Sequence, residues 1–189
     1  HVIEEDVCPI IDLPATWEEY LSSIDKKQRH EIRRKLRRAD ADAEMEWYVV
    51  GGDHDLHYEV DRFLELHQKS SPDKAEFMDA QMVEFFHGIA ESMQAAGWLR
   101  LMQLEFDGRH EASIMACDYG DAIVLDKSGF APAGPARLSP GMVLVSLCIR
   151  HAIELGRKKF DFLQGGEEYK YRFGAHDTKV YRVLIGRGG

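Results

Sequence analysis

Three strand-like runs joined by glycine turns commit the middle of this chain to an antiparallel sheet. Leu99 to Phe106 and Glu111 to Cys117 meet through Asp107-Gly108, a dipeptide that reaches the left-handed backbone angles of a tight hairpin. Tyr119-Gly120-Asp121 makes a second turn into Ala122 to Leu125, so the predicted unit is a three-stranded meander. Its third strand runs on toward Gly129-Phe130 and a proline-bounded loop, Pro132 to Pro135, that delivers the chain to Arg137.

From Arg137 to Lys170 the sequence sets out an anion-ready helix start, a short strand and a knot of ionisable groups. Ser139 is a predicted N-cap and Pro140 suits the first helical position. Gly141 leaves room for a ligand at the backbone. With the amides of Gly141, Met142 and Val143 at the positive end of the helix dipole, and Arg137 beside them, this is a candidate phosphate cradle. The plainer reading is a capped helix behind a surface arginine. Leu144, Val145, Cys148, Ile149 and Ala152 recur at helical spacing, and Gly156 marks the stop. Phe160-Asp161-Phe162 then forms a short strand before Gly165-Gly166, Glu167 and Tyr169-Lys170.

Taken in this order, Arg-Leu-Ser-Pro-Gly, a helix, Phe-Asp-Phe-Leu, Gly165, Glu167 and Tyr169-Lys170 resemble GNAT-type acetyltransferase domains of the CelD/BcsL kind. That family is associated with cellulose and other exopolysaccharide synthesis and is distantly related to the Fem-type peptidoglycan aminoacyl transferases. The likeness extends back through the Asp107-Gly108 hairpin to the basic helix near residue 30. Gly166 stands where the family often has an acid, and Phe173 where it often has tryptophan. The resemblance implies an α/β (α+β) fold, a mixed and mostly antiparallel sheet flanked by helices. It further implies that the strand before the pyrophosphate loop binds the pantetheine arm of coenzyme A. Relatives are often longer, with another GNAT-like half ahead of this one, so residues 1–189 are expected to be one such domain, the C-terminal half of a two-domain protein.

The rest of the chain is less specific. Residues 1–15 look extended or irregular, with Pro9 and Pro14 as breakers. Thr16 and Glu19 offer a capping box for a helix carrying Trp17, Tyr20, Leu21 and Ile24. Lys26 to Arg38 is strongly basic, a solvated helix face or a landing site for phosphates, with Ile32 and Leu36 as its buried stripe. Glu46 to Val50 reads as a strand. His54, His57 and His67 invite a metal, but histidines on a polar helix are usually surface residues, and no metal site is expected. A single helix is expected from Asp73 or Lys74 to Ala96, with Phe77, Met78, Met82, Phe85, Phe86 and Ile89 inward, and a closing strand from Lys179 to Ile185. The net charge of −9 argues against general nucleic-acid binding. No apolar run approaches a membrane span, and Cys8, Cys117 and Cys148 read as thiols of a reducing compartment, which together point to a cytoplasmic protein.

Acyl transfer from a thioester needs a base for the acceptor, dipoles at the oxyanion and a partner for the leaving thiolate. Asp161 and Glu167 are the candidate bases, Tyr169 the residue that the family resemblance makes proton donor to the thiolate, and Lys170 the group that holds the carboxylates or the oxyanion. The alternative for each is a structural ion pair at a strand-to-helix turn. The expected activity is N- or O-acetylation of a small-molecule or saccharide acceptor, an amino sugar or another cell-envelope component, with acetyl-CoA as donor. Its rivals are a Fem-like aminoacyl-tRNA-dependent transferase and a non-catalytic GNAT-like binding module.

Overall fold

The computed structural model describes residues 1–131 and 138–185. In chain order its elements are β1 (Val2–Asp12), α1 (Trp17–Ser23), α2 (Lys26–Asp42), β2 (Met45–Val49), α3 (Leu56–Lys69), α4 (Pro72–Phe77), α5 (Ala80–Ala95), β3 (Leu99–Phe106), β4 (Arg109–Tyr119), β5 (Ala122–Phe130), α6 (Pro140–Glu154), β6 (Lys159–Asp161), α7 (Glu168–Tyr171) and β7 (His176–Val183). The strands form one sheet in the order β2-β3-β4-β5-β6-β1-β7. Every pairing is antiparallel except β5 with β6. This is the mixed, mostly antiparallel α/β architecture expected from the sequence.

The meander forms as predicted, with Asp107 and Gly108 both at positive φ in the β3–β4 turn. Helices cover both faces. On one, α6 buries Leu144, Val145, Cys148, Ile149 and Ala152 in a core shared with Tyr20, Leu21 and Ile32. On the other, Val60, Phe63 and Leu64 of α3 and Phe86 of α5 lie over Leu99, Leu101 and Met115. α3 approaches β5 so closely that a Cβ on Gly129 would lie 2.4 Å from the His67 amide nitrogen. The capping box of Thr16 and Glu19 is present, and α2 starts instead on Asp25, whose carboxylate accepts from the amides of Lys27 and Gln28.

Three expectations are corrected. Residues 2–12 are a regular strand, β1, inserted between β6 and β7, with Pro9 tolerated inside it. The long helix is broken: α4 ends at Phe77, and Asp79 caps a fresh start for α5. The break turns Phe77 and Phe85 outward, at 49% and 53% exposure, while Met78 and Phe86 stay buried. β7 begins at His176, earlier than predicted, and its Val183 is exposed because the strand lies at the sheet edge. His67, 2% exposed, shares the buried stripe of α3 with Val60, Phe63 and Leu64.

The feature that makes room for a ligand is the short β5–β6 contact. The two strands pair only over Ala122 to Val124 against Lys159 to Asp161. Beyond that, β5 continues to Phe130, while the other chain turns away through Leu163 at φ 56°. Among the described residues, no strand pairs with that edge of β5 from Leu125 onward.

Candidate active site

The splayed strands open a cavity of about 880 Å³, a size suited to a cofactor-sized ligand. One wall is β5 from Leu125 to Phe130, backed by His67 and Lys74; the opposite wall is the segment from Phe162 to Lys170; the start of α6 closes one end.

At that end Ser139 sits at φ 54°, and its hydroxyl makes no capping bond to the first turn. It instead accepts a hydrogen bond from the Lys35 ammonium of α2. The basic helix thus places a cation at the start of α6, although most of its other charges face solvent or nearby acids, as Arg33 does with Glu18 and Arg34 with Glu31. Val143 is corrected as an anion donor: its amide closes the first helical turn on the Ser139 carbonyl at 3.1 Å, and its side chain is fully buried. Pro140 has no N–H, so Gly141 and Met142 are the amides that the helix leaves over. Gly141 faces the cavity with only Phe130 near a notional Cβ, at 3.7 Å. Arg137 lies outside the described residues.

The polar knot is assembled differently from its sequence reading. Asp161 does not line the cavity; its carboxylate accepts from the Leu163 amide at 2.7 Å and shapes the turn that diverts the chain from β5. Lys170 is only 3% exposed, and its ammonium donates to the carbonyls of Leu163, Gln164 and Gly165 and pairs with Glu167 at 2.7 Å. An ammonium has three protons to give, so this one is fully spent clasping the loop. Both side chains answer one need, since a loop leaving a sheet strands its backbone groups and these satisfy them; the Lys170–Glu167 pair is also the carboxylate-holding contact expected of Lys170.

Glu167, Tyr169 and Lys170 do line the cavity. Burial alone would raise the Glu167 pKa, but the Lys170 hydrogen bond, a backbone amide and the Lys170 charge hold it below the ordinary carboxylate value. Gly165 sits beside it at φ 109°, a backbone conformation that favours glycine. Burial, then the Glu167 charge, pushes the Tyr169 phenol up to about 12, so it is protonated at neutral pH.

Three further groups at the cavity, His67, Lys74 and Ser113, were not singled out as site residues from the sequence. The His67 ring places Nδ1 3.0 Å from the Ser128 carbonyl, which can only accept, so Nδ1 carries the proton and Nε2 keeps its lone pair. Burial, reinforced by the charges of Lys74 and Lys127, lowers the His67 pKa and keeps the ring neutral. Lys74 donates to the same carbonyl at 2.9 Å, and burial, then Lys127, lowers its pKa too. Ser113, buried on β4, lines the cavity with an Oγ that has no hydrogen-bond partner among the described residues. Only its inward position on a strand next to an open edge distinguishes it, and that was not visible in sequence.

A sequence profile described as an acetyltransferase (GNAT) domain matches residues 26–171. No curated protein matches the sequence. Among solved structures the fold is similar to FemX, with a TM-score of 0.71 at 10% identity over 94% of this chain and 60% of that one. It is also similar to L-PGS from Bacillus licheniformis, at 0.63 and 10% identity over 96% of this chain and 61% of that one. A third is the GCN5-related glucosamine N-acetyltransferase region of a fungal multi-domain GH3 beta-N-acetylglucosaminidase, at 0.57 and 13% identity over 95% of this chain and 20% of that one. The chain thus spans about 60% of the length of the first two.

Proposed function

As this chain belongs to the acetyltransferase (GNAT) family, we propose that it transfers an acyl group, acetyl in the first instance, from coenzyme A to an amine or hydroxyl of a saccharide or cell-envelope acceptor. The observation that carries this reading is the α6 start, where the Gly141 and Met142 amides and the Lys35 ammonium meet the end of the cavity between β5 and the Phe162–Lys170 segment. Phosphates suit the first, and the unpaired edge of β5 suits an extended amide-bearing arm. Arg137 is carried into the proposal from its place in the loop motif alone.

In this reading the acceptor gives up its proton to a base and attacks the thioester carbonyl carbon. The tetrahedral intermediate then collapses, expelling the coenzyme A thiolate. His67 is the better base on energetic grounds, being neutral with an unprotonated Nε2, whereas the Glu167 carboxylate is weakened by Lys170. Glu167 is left to attract a cationic acceptor. A phenol at about 12 is a weaker acid than a thiol near about 8.5, so Tyr169 steadies the thiolate by donating a hydrogen bond and the sulfur takes its proton from the medium. Ser113 offers the ligand one more buried hydroxyl.

A second reading, aminoacyl transfer of the Fem type, is favoured by the likeness to FemX and by the exposed Arg37 and Arg38 on α2. It is weakened by the net charge of −9. We place the chain in the cytoplasm as the C-terminal half of a longer protein, in keeping with the length of the structures it matches. The test is calorimetric titration with acetyl-CoA and coenzyme A on the wild type and on Gly141→Glu, whose added Cβ would make only ordinary contact with Phe130 among the described residues, with a melting curve to show that the variant is folded. Micromolar binding lost in the variant supports the proposal. Absence of binding to folded protein, with turnover of aminoacyl-tRNA, replaces it by the second reading.

A further inference from the structure

Away from the cavity, α3 and α5 bring together three ligand-type side chains that sequence spacing does not associate. His57 and Asp61 stand one turn apart on α3, with His57 Nδ1 3.5 Å from Asp61 Oδ2. His87 reaches across from α5, its Nε2 2.9 Å from Asp61 Oδ1. The two imidazoles stack with centroids 3.8 Å apart, and one ligand atom from each of the three residues lies within 4.8 Å of the others. None of the three lines the cavity.

We propose that His57, Asp61 and His87 form a binding site for a divalent transition-metal ion of the zinc class. Ligand atoms at about 2.0–2.2 Å from a tetrahedral ion stand roughly 3.3–3.6 Å apart. One pair is already at that separation. The exposed His57 and Asp61 side chains close the rest by torsional adjustment, while His87, half-buried on α5, provides the fixed point. Two imidazoles and one carboxylate select zinc, cobalt, nickel or copper over magnesium and calcium, which favour all-oxygen sites. An ion here also resolves the packing of two stacked imidazoles, which as a protonated pair would repel. Water completes the coordination on the solvent side. The site staples α3 to α5, and through α3 it stiffens the helix that carries His67 into the cavity wall.

The expectation that no metal binds came from weighing His54, His57 and His67. The structure separates His67 from that set and supplies His87 in its place. The test uses tag-free, chelator-treated protein titrated with Co²⁺, read by visible absorption, and with Zn²⁺, read by calorimetry and thermal melting. One ion per chain, tetrahedral cobalt bands and a zinc-dependent rise in Tm are expected. His87→Gln is expected to weaken binding by more than about tenfold and to remove the Tm rise. If His87→Gln melts early without metal, Asp61→Asn, at an exposed position, carries the same comparison. Failure of the folded wild type to bind stoichiometrically overturns the site, as does unchanged affinity in a well-folded variant.

Discussion

Gly129→Ala tests how the cavity wall is built. The added Cβ would lie 2.4 Å from the His67 nitrogen, 2.6 Å from the Leu66 carbonyl carbon and 2.8 Å from the His67 Cα. All three are backbone atoms of α3, so no side chain can swing aside. To restore ordinary contact, the helix and the strand must part by about 1 Å, against a core that includes Val60, Phe63 and Leu64. Overpacking of this kind costs typically about 1–3 kcal/mol, and a clash with two rigid backbones belongs at the upper end, near about 3 kcal/mol. Urea denaturation should show the midpoint falling by roughly 1–1.5 M at an unchanged slope. Gly88→Ala is the matched control: it is helical and exposed, with nothing within 4 Å of the new Cβ. There, alanine should gain about 0.5–1 kcal/mol. A loss below about 1 kcal/mol for Gly129→Ala would refute the claim that this glycine sets the α3–β5 approach.

Lys170→Met should destabilise by about 2–4 kcal/mol, because three loop carbonyls and Glu167 lose their shared donor. Lost turnover with unchanged stability would instead put Lys170 in the chemistry. Burial, then the Arg62 charge, depresses the His110 pKa to about 4, below its unfolded value near 6.5. The fold therefore favours the neutral ring: the contribution is complete above about pH 6.5 and is lost as pH falls toward about 4, by roughly 2–3 kcal/mol. His110→Gln should flatten the stability profile across that window, and an unaltered slope in chemical denaturation from pH 7 to 4 would remove His110 as its source.

What the sequence made legible was local. Asp107-Gly108 announced its hairpin, Thr16 and Glu19 their capping box, and the apolar periodicity of Leu144 to Ala152 the helix that backs the sheet. Gly141, Glu167 and Tyr169 were found at the cavity because the family resemblance set their order along the chain. What stayed hidden depends on contacts distant in sequence. β1 has too little alternation to declare a strand, and its partners are at the other end of the chain. His67 becomes a buried neutral ring only because Gly129 admits α3 against β5, a relation between segments far apart in the chain that no local pattern encodes. For Asp161 and Lys170 the sequence left chemistry and a structural ion pair both open, because a buried ion cluster looks alike in sequence whether it serves a substrate or a loop.

The strand order also dictates when the molecule can complete itself. Val2 to Ile10 find their partners at His176 to Val183, and Ile10 to Asp12 theirs at Lys159 to Asp161. During vectorial synthesis β1 emerges long before β7 and must wait for it. Meanwhile the β2–β5 meander and its helices can condense around contacts nearer in sequence. Emergence of β6 and β7, not nucleation, then licenses closure of the sheet, and a nascent β1 with both edges open is the segment most in need of shielding until it happens.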